Sequence, residues 1–114
     1  MSKIPPLNRN NDFRRVYAKG RSFVSPLAVT YVRKNRGGLT RVGITTSKKV
    51  GNAVTRSRCR RVLRAAYRSV EAGVRPGYDL VFVARGRTAG ARSQQVARVL
   101  EEHLRQAGVL EDRK

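Results

Sequence analysis

Residues able to do chemistry are scarce in this chain: it has no tryptophan, one cysteine, one histidine and only seven acids. A lone cysteine, Cys59, excludes an internal disulfide and fits a reducing compartment. Its neighbours in the helical pattern are apolar, so it reads as a small buried hydrophobe and not as a reactive thiol. His103 falls on the apolar stripe of the last predicted helix, where packing outweighs a role as base or metal ligand. The acids share no short motif with a nucleophile, and five of them follow Glu71, so a metal site or catalytic constellation is hard to assemble. Gly37-Gly38 lacks the following Lys-Ser or Lys-Thr of a nucleotide-binding loop. No apolar run approaches the ~20 residues of a spanning helix, and Met1 to Pro6 lacks the apolar centre of a secretory signal. The expectation is a cytoplasmic protein that binds and does not catalyse alone.

Positive charge is what the chain has in excess. Its 26 Lys and Arg stand against 7 Asp and Glu, a formal net charge of +19. Residues 1–70 hold 18 basic side chains against Asp12 alone, and residues 71–114 hold 8 against 6 acids. Such a balance calls first for nucleic acid, then for an anionic membrane surface, then for an acidic protein. The partner is expected on the side built by the first 70 residues. A length of 114 residues suits one domain, 1–114, with one modest core; 1–9 and 109–114 read as flexible tails.

The charge peaks between Lys48 and Arg68, which contains no acid. From Arg56 onward Cys59, Val62, Leu63, Ala66, Tyr67 and Val70 recur at helical spacing and predict one buried stripe. Arg60, Arg61, Arg64 and Arg68 fall together on a second face. Like charges at these spacings repel by about 0.2–0.5 kcal/mol per pair. A solvated basic face gains nothing from that arrangement, whereas a phosphate chain lying along it would turn repulsion into attraction through bidentate guanidinium contacts.

Earlier in the chain, Asn10 or Asn11 caps a helix through Phe13, Val16 and Tyr17 that Gly20 ends. Phe13 and Tyr17 are core residues or the wall of a base-stacking groove; the spacing serves both. Arg21-Ser22-Phe23-Val24 is a candidate short strand. Leu27 to Val32 and Arg41 to Thr46 read as strands joined by the Asn35 to Gly38 turn, and an antiparallel hairpin is expected. Tyr78 to Arg85 is nearly continuously apolar, as a strand covered on both faces would be. Strand, helix, strand then implies a crossover and a parallel pair. Ser93 is expected to cap a last helix.

The run Ser47-Lys48-Lys49-Val50-Gly51-Asn52-Ala53-Val54-Thr55-Arg56-Ser57-Arg58, with Arg60-Arg61 and Arg64 after it, resembles the signature of the bacterial ribonuclease P protein subunit. Ser57 stands where that family usually has Asn, and serine lacks the amide's reach and second donor. The resemblance implies an α+β two-layer sandwich of the ribosomal protein S5 domain 2-like fold, in the order α-β-β-β-α-β-α. It also implies a left-handed βαβ crossover, against the general right-handed rule. It implies an RNA-binding subunit of an endonuclease that removes the 5′ leader from precursor tRNA, with catalysis in the RNA subunit. Mg²⁺ is then required by the RNA-containing holoenzyme, and no cofactor is assigned to the protein. Lys48, Lys49, Asn52, Arg56, Ser57, Arg58, Arg60, Arg61 and Arg64 are the candidates for the RNA subunit. Phe13, Tyr17, Tyr31, Arg68 and Arg85 are the candidates for the leader. No obligate protein partner and no membrane is expected. The alternatives are a structural protein on ribosomal RNA, a DNA-binding regulator and a self-sufficient nuclease.

Overall fold

Asn10–Lys19 forms the first helix, α1, which buries Val16 alone. The computed structural model describes residues 10–110; the expected tail 1–9, and residues 111–114 of the expected tail 109–114, lie outside the described residues. Gly20 ends α1, its N–H bonded to Val16 O at 2.8 Å. A Cβ at Gly20 would stand 2.5 Å from Val16 O and 2.9 Å from Val32 O, so any larger residue would force helix and sheet apart. Three strands follow, β1 (Arg21–Val24), β2 (Ala28–Lys34) and β3 (Arg41–Thr45); then α2 (Ala53–Val70), β4 (Tyr78–Ala84) and α3 (Ser93–Gln106). This is the α-β-β-β-α-β-α order.

The sheet runs β1-β2-β4-β3. β2 and β3 do not form the expected hairpin: β4 lies between them, antiparallel to β2 and parallel to β3. The reason is burial. β4 is apolar on both faces, with Leu80, Val81 and Phe82 fully buried, and only a central position covers both. Residues 35–40 span the end of β4, where Asn35 N–H bonds Gly77 O at 2.8 Å. The parallel pair flanking α2 is as expected.

One sheet face carries the main core. Val32, Leu80 and Phe82 pack with Cys59, Leu63, Ala66, Tyr67 and Val70 of α2 and with Val96, Leu100 and Leu104 of α3. His103 is 5% exposed and its Nδ1 shares a 2.8 Å hydrogen bond with the Thr30 hydroxyl, which supplies the packing role its position implied. The other face holds a smaller cluster in which Val16 of α1 covers Val81, with Phe13, Tyr31 and Val83 around it. The architecture is thus sheet against α2 and α3, with α1 laid over part of the far face.

Two expectations fail near the C-terminus. Val109 and Leu110 are not tail: both are buried. Gly108 takes φ 77° and turns the chain back, so that Val109 O accepts from Arg75 N–H at 2.8 Å and Leu110 bridges Val74. Two apolar residues that reach the core in this way gain more than they would as free ends. Ser93 is the first residue of α3 and not its cap; at the start of that helix the Arg92 N–H donates to Gln95 Oε1 at 2.9 Å.

Candidate nucleic-acid interface

The basic helix is built as its pattern required. Asn52 is the N-cap of α2, its Oδ1 accepting from Thr55 N–H at 2.9 Å. Gly51 has φ 152°, and a Cβ there would lie 2.9 Å from Thr55 Cγ2, so glycine is what permits the turn from Lys48–Val50 into the helix. Cys59, Leu63, Ala66, Tyr67 and Val70 are buried. Burial pushes the Cys59 thiol up, Arg60 pulling the other way, and raises Tyr67 to about 12, Glu71 adding to the rise; both stay protonated and unreactive at neutral pH.

Lys48, Lys49, Ser57, Arg58, Arg61, Arg64 and Arg68 are exposed; Arg56 and Arg60 are half-buried. None of these basic groups is joined to a carboxylate among the described residues. By helical spacing Arg60, Arg61, Arg64 and Arg68 share one flank of α2. Arg58 falls on the other flank, beside Val62. Arg68 therefore belongs with the arginine row. The row lies with α2 on the sheet face opposite α1 and its aromatic residues.

The second surface follows from strand register. Across β2, β4 and β3, the far face carries three rows: Val29-Val83-Thr45, Tyr31-Val81-Gly43 and Arg33-Asp79-Arg41. Val16 of α1 covers the middle row, and Asp12 of α1 reaches Arg41 in the third. The first row, half-buried and with Val83 packed against the Val16–Val81 cluster, is the floor of the candidate groove. Its wall is aromatic: Tyr17 meets Tyr31 edge to face at 4.8 Å between centroids, and Phe13 stands 6.3 Å from Tyr17. Tyr17 is 42% exposed. Partial burial and neighbouring Tyr31 raise its hydroxyl pKa while Thr45 lowers it, a net rise that keeps the ring uncharged beside any phosphate. Arg85 follows β4 at the groove end, exposed, with one guanidinium nitrogen 3.3 Å from Ser25 O. Lys48 and Lys49 lie between β3 and α2 in the chain.

Sequence reasoning missed the third row. Asp79 is 1% exposed. Arg41 grips it with Nε and one terminal nitrogen at 3.0 and 2.9 Å, and Asn35 Nδ2 donates at 2.8 Å. The other terminal nitrogen of Arg41 reaches Asp12 at 3.3 Å. The signal was a lone carboxylate inside an apolar strand, which burial forces to find a cation. Among the described residues no three His, Cys, Asp or Glu side chains come together as a metal-holding group, and no helix is long and apolar enough to cross a membrane.

A small α+β protein that sets a polycationic helix on one face of a sheet and an aromatic groove on the other belongs, by construction, to the class equipped to meet nucleic acid. The family model for ribonuclease P matches residues 1–108. The ribonuclease P protein component of Clostridium novyi is 40% identical over 111 residues, covering 96% of this chain and 98% of that protein. That of Clostridioides difficile is 38% identical over 104 residues, covering 90% and 91%. The solved Staphylococcus aureus RNase P protein superposes with a TM-score of 0.81 at 31% identity, covering 96% of this chain and all of that one. The Thermotoga maritima RNase P protein gives 0.77 at 25% identity over 89% and 96%. The chain belongs to the bacterial ribonuclease P protein family, and so to a ribonucleoprotein endoribonuclease of tRNA processing whose RNA subunit is its partner.

Proposed function

We propose that this protein binds the ribonuclease P RNA through the arginine side and the 5′ leader of precursor tRNA through the aromatic groove, the RNA carrying out the cleavage. The observation that carries this reading is the separation of two unlike surfaces by one sheet. Lys48, Lys49, Arg56, Arg58, Arg60, Arg61 and Arg64 present charge without counter-charge among the described residues, and Asn52 and Ser57 add neutral hydrogen-bonding groups among them. That suits structured RNA, whose phosphates release counterions on binding. Asn52 spends its carbonyl on the cap and keeps its amide N–H groups for RNA. Phe13, Tyr17 and Tyr31 offer rings beside an apolar floor, and Arg85 offers charge at the groove end. Leaders vary in sequence, and stacking with backbone contact tolerates that variation. Arg68 extends the RNA-subunit row.

The Mg²⁺ that the reaction needs is assigned to the RNA-containing holoenzyme, with no cofactor on the protein. The test is cleavage of precursor tRNA at low Mg²⁺ by a bacterial ribonuclease P RNA, with and without this protein, and by protein alone. Stimulation that needs both components is the expected result. No stimulation of an active RNA would refute the reading and favour a structural role on ribosomal RNA. Cleavage by protein alone would make it a nuclease.

A further inference from the structure

The helix that carries Phe13 and Tyr17 is thinly anchored. Val16 is its one fully buried side chain, and its outward residues Arg14, Arg15 and Lys19 are exposed. What fixes its N-terminal turn is a polar chain through the sheet. Asp79 of β4, buried between β2 and β3, is held by the Arg41 fork and by Asn35, with Arg33 at 4.0 Å. Arg41 then extends its remaining terminal nitrogen to the Asp12 carboxylate at 3.3 Å. Asp12 immediately precedes Phe13. A guanidinium can span two carboxylates because its donors diverge in one plane; an ammonium cannot do so with the same geometry.

We infer that Arg41 is a positioning residue for the leader: it joins buried Asp79 to Asp12 and so holds Phe13 and Tyr17 at the groove wall. This rests on the groove reading above. Phe13 is half-buried and Tyr17 is exposed, so the placement of both rings depends on how α1 is seated. Val16, Phe13 and the contacts of Tyr17 with Tyr31 and Thr45 seat α1 on the sheet, and the Asp12–Arg41 contact adds a polar attachment at its first turn. Stacking needs the ring plane within a fraction of a ring width, so loss of the attachment weakens leader binding without removing any contacting group.

The test uses the holoenzyme reconstituted with a bacterial ribonuclease P RNA. Two substrates are compared: precursor tRNA with a leader long enough to cross the groove, and the same precursor trimmed to a single leader nucleotide. Asp12→Asn removes the charge that pairs α1 with Arg41 while leaving the Arg41–Asp79 pair in place, so the core is spared. Arg41→Lys keeps the charge and loses the fork. Each is expected to raise the ratio of KM for the long-leader substrate to that for the trimmed one by about fivefold, the loss of one partly buried charged hydrogen bond. The double variant should add nothing to the larger single effect. Phe13→Ala is the control for the groove itself. If Phe13→Ala raises the ratio and Asp12→Asn does not, the positioning role is overturned and the groove stands. If the two single effects add, Asp12 acts through its own helix dipole and the role is again overturned. If Phe13→Ala leaves the ratio unchanged, the groove reading fails and the positioning role falls with it. Thermal melts of each free protein separate a lost attachment from a lost fold.

Discussion

Replacing Arg61 and Arg64 by alanine should weaken RNA binding while leaving the free protein as stable as before, or more so. Both side chains are exposed and joined to no carboxylate among the described residues. Removing them abolishes the like-charge pairs 58/61, 60/64, 61/64 and 64/68. At about 0.2–0.5 kcal/mol each, that relief reaches at most about 2 kcal/mol, and alanine is no worse a helix former than arginine. On the RNA side, each neutralised phosphate contributes about 0.9 to the slope of log affinity against log salt. The pair should therefore flatten that slope by about 2. The assay is equilibrium binding of the protein to a ribonuclease P RNA over a salt series, beside thermal melts of the free variants. Arg98→Ala, an exposed arginine of α3, should change the slope little. An equal effect from Arg98→Ala would refute the assignment of RNA binding to the α2 row, and a large loss of thermal stability would refute the claim that the row serves no internal contact.

Other perturbations test the fold beneath the site. Leu63→Ala empties a fully buried position under the basic helix and should cost about 2–5 kcal/mol in urea unfolding. Gly51→Ala combines a disfavoured φ with a close approach to Thr55, and should cost about 1–3 kcal/mol; a fully stable variant would show that the turn adapts. Tyr17→Ala should lower affinity for a long-leader precursor by about 1–3 kcal/mol, and for a trimmed one hardly at all. Burial lowers the His103 pKa below its ordinary 6.5, against a smaller opposing pull from Glu102. The unfolded chain then binds the extra proton, so this contribution is intact above pH 6.5 and is lost as pH falls through the lowered folded value. In urea titrations His103→Gln should flatten that acid-side loss.

Local chemistry was legible in the sequence and long-range partnership was not. The stripe of α2 and the two-faced apolar character of β4 follow from spacing within one segment, and each is found where spacing puts it. The hairpin between β2 and β3 rested on adjacency and on the turn residues Asn35 to Gly38. It yields because β4, arriving much later in the chain, has the stronger claim to the centre of the sheet. Val109 and Leu110 were read from their nearness to the end, although two apolar residues after Gly108 already argued for a return to the core. At the site, periodicity identified Arg60, Arg61, Arg64 and Arg68 as one row. It could not say that the sheet separates that row from Phe13, Tyr17 and Tyr31. The Arg41–Asp79 pair joins residues 38 positions apart, and no helical or strand period reports such a contact.

The acids show how charge and fold are reconciled in so basic a chain. Asp12, alone among the first 70 residues, is set against Arg41, and Asp79 is set against Arg41, Arg33 and Asn35. Both are spent at one end of the far sheet face, where α1 is fastened. Neither is left near the arginine row, where a carboxylate would satisfy a guanidinium and repel a phosphate. Had the same two acids stood at i, i+4 to Arg61 or Arg64, the free protein would have gained a few tenths of a kcal/mol from each pair and lost about one unit of salt-dependent affinity for every arginine so occupied. The present arrangement leaves α2 self-repelling until a polyanion arrives. Binding RNA should accordingly raise the protein's melting temperature, because a ligand that favours the folded state stabilises it by mass action. That gain should shrink as salt screens both the repulsion and its relief.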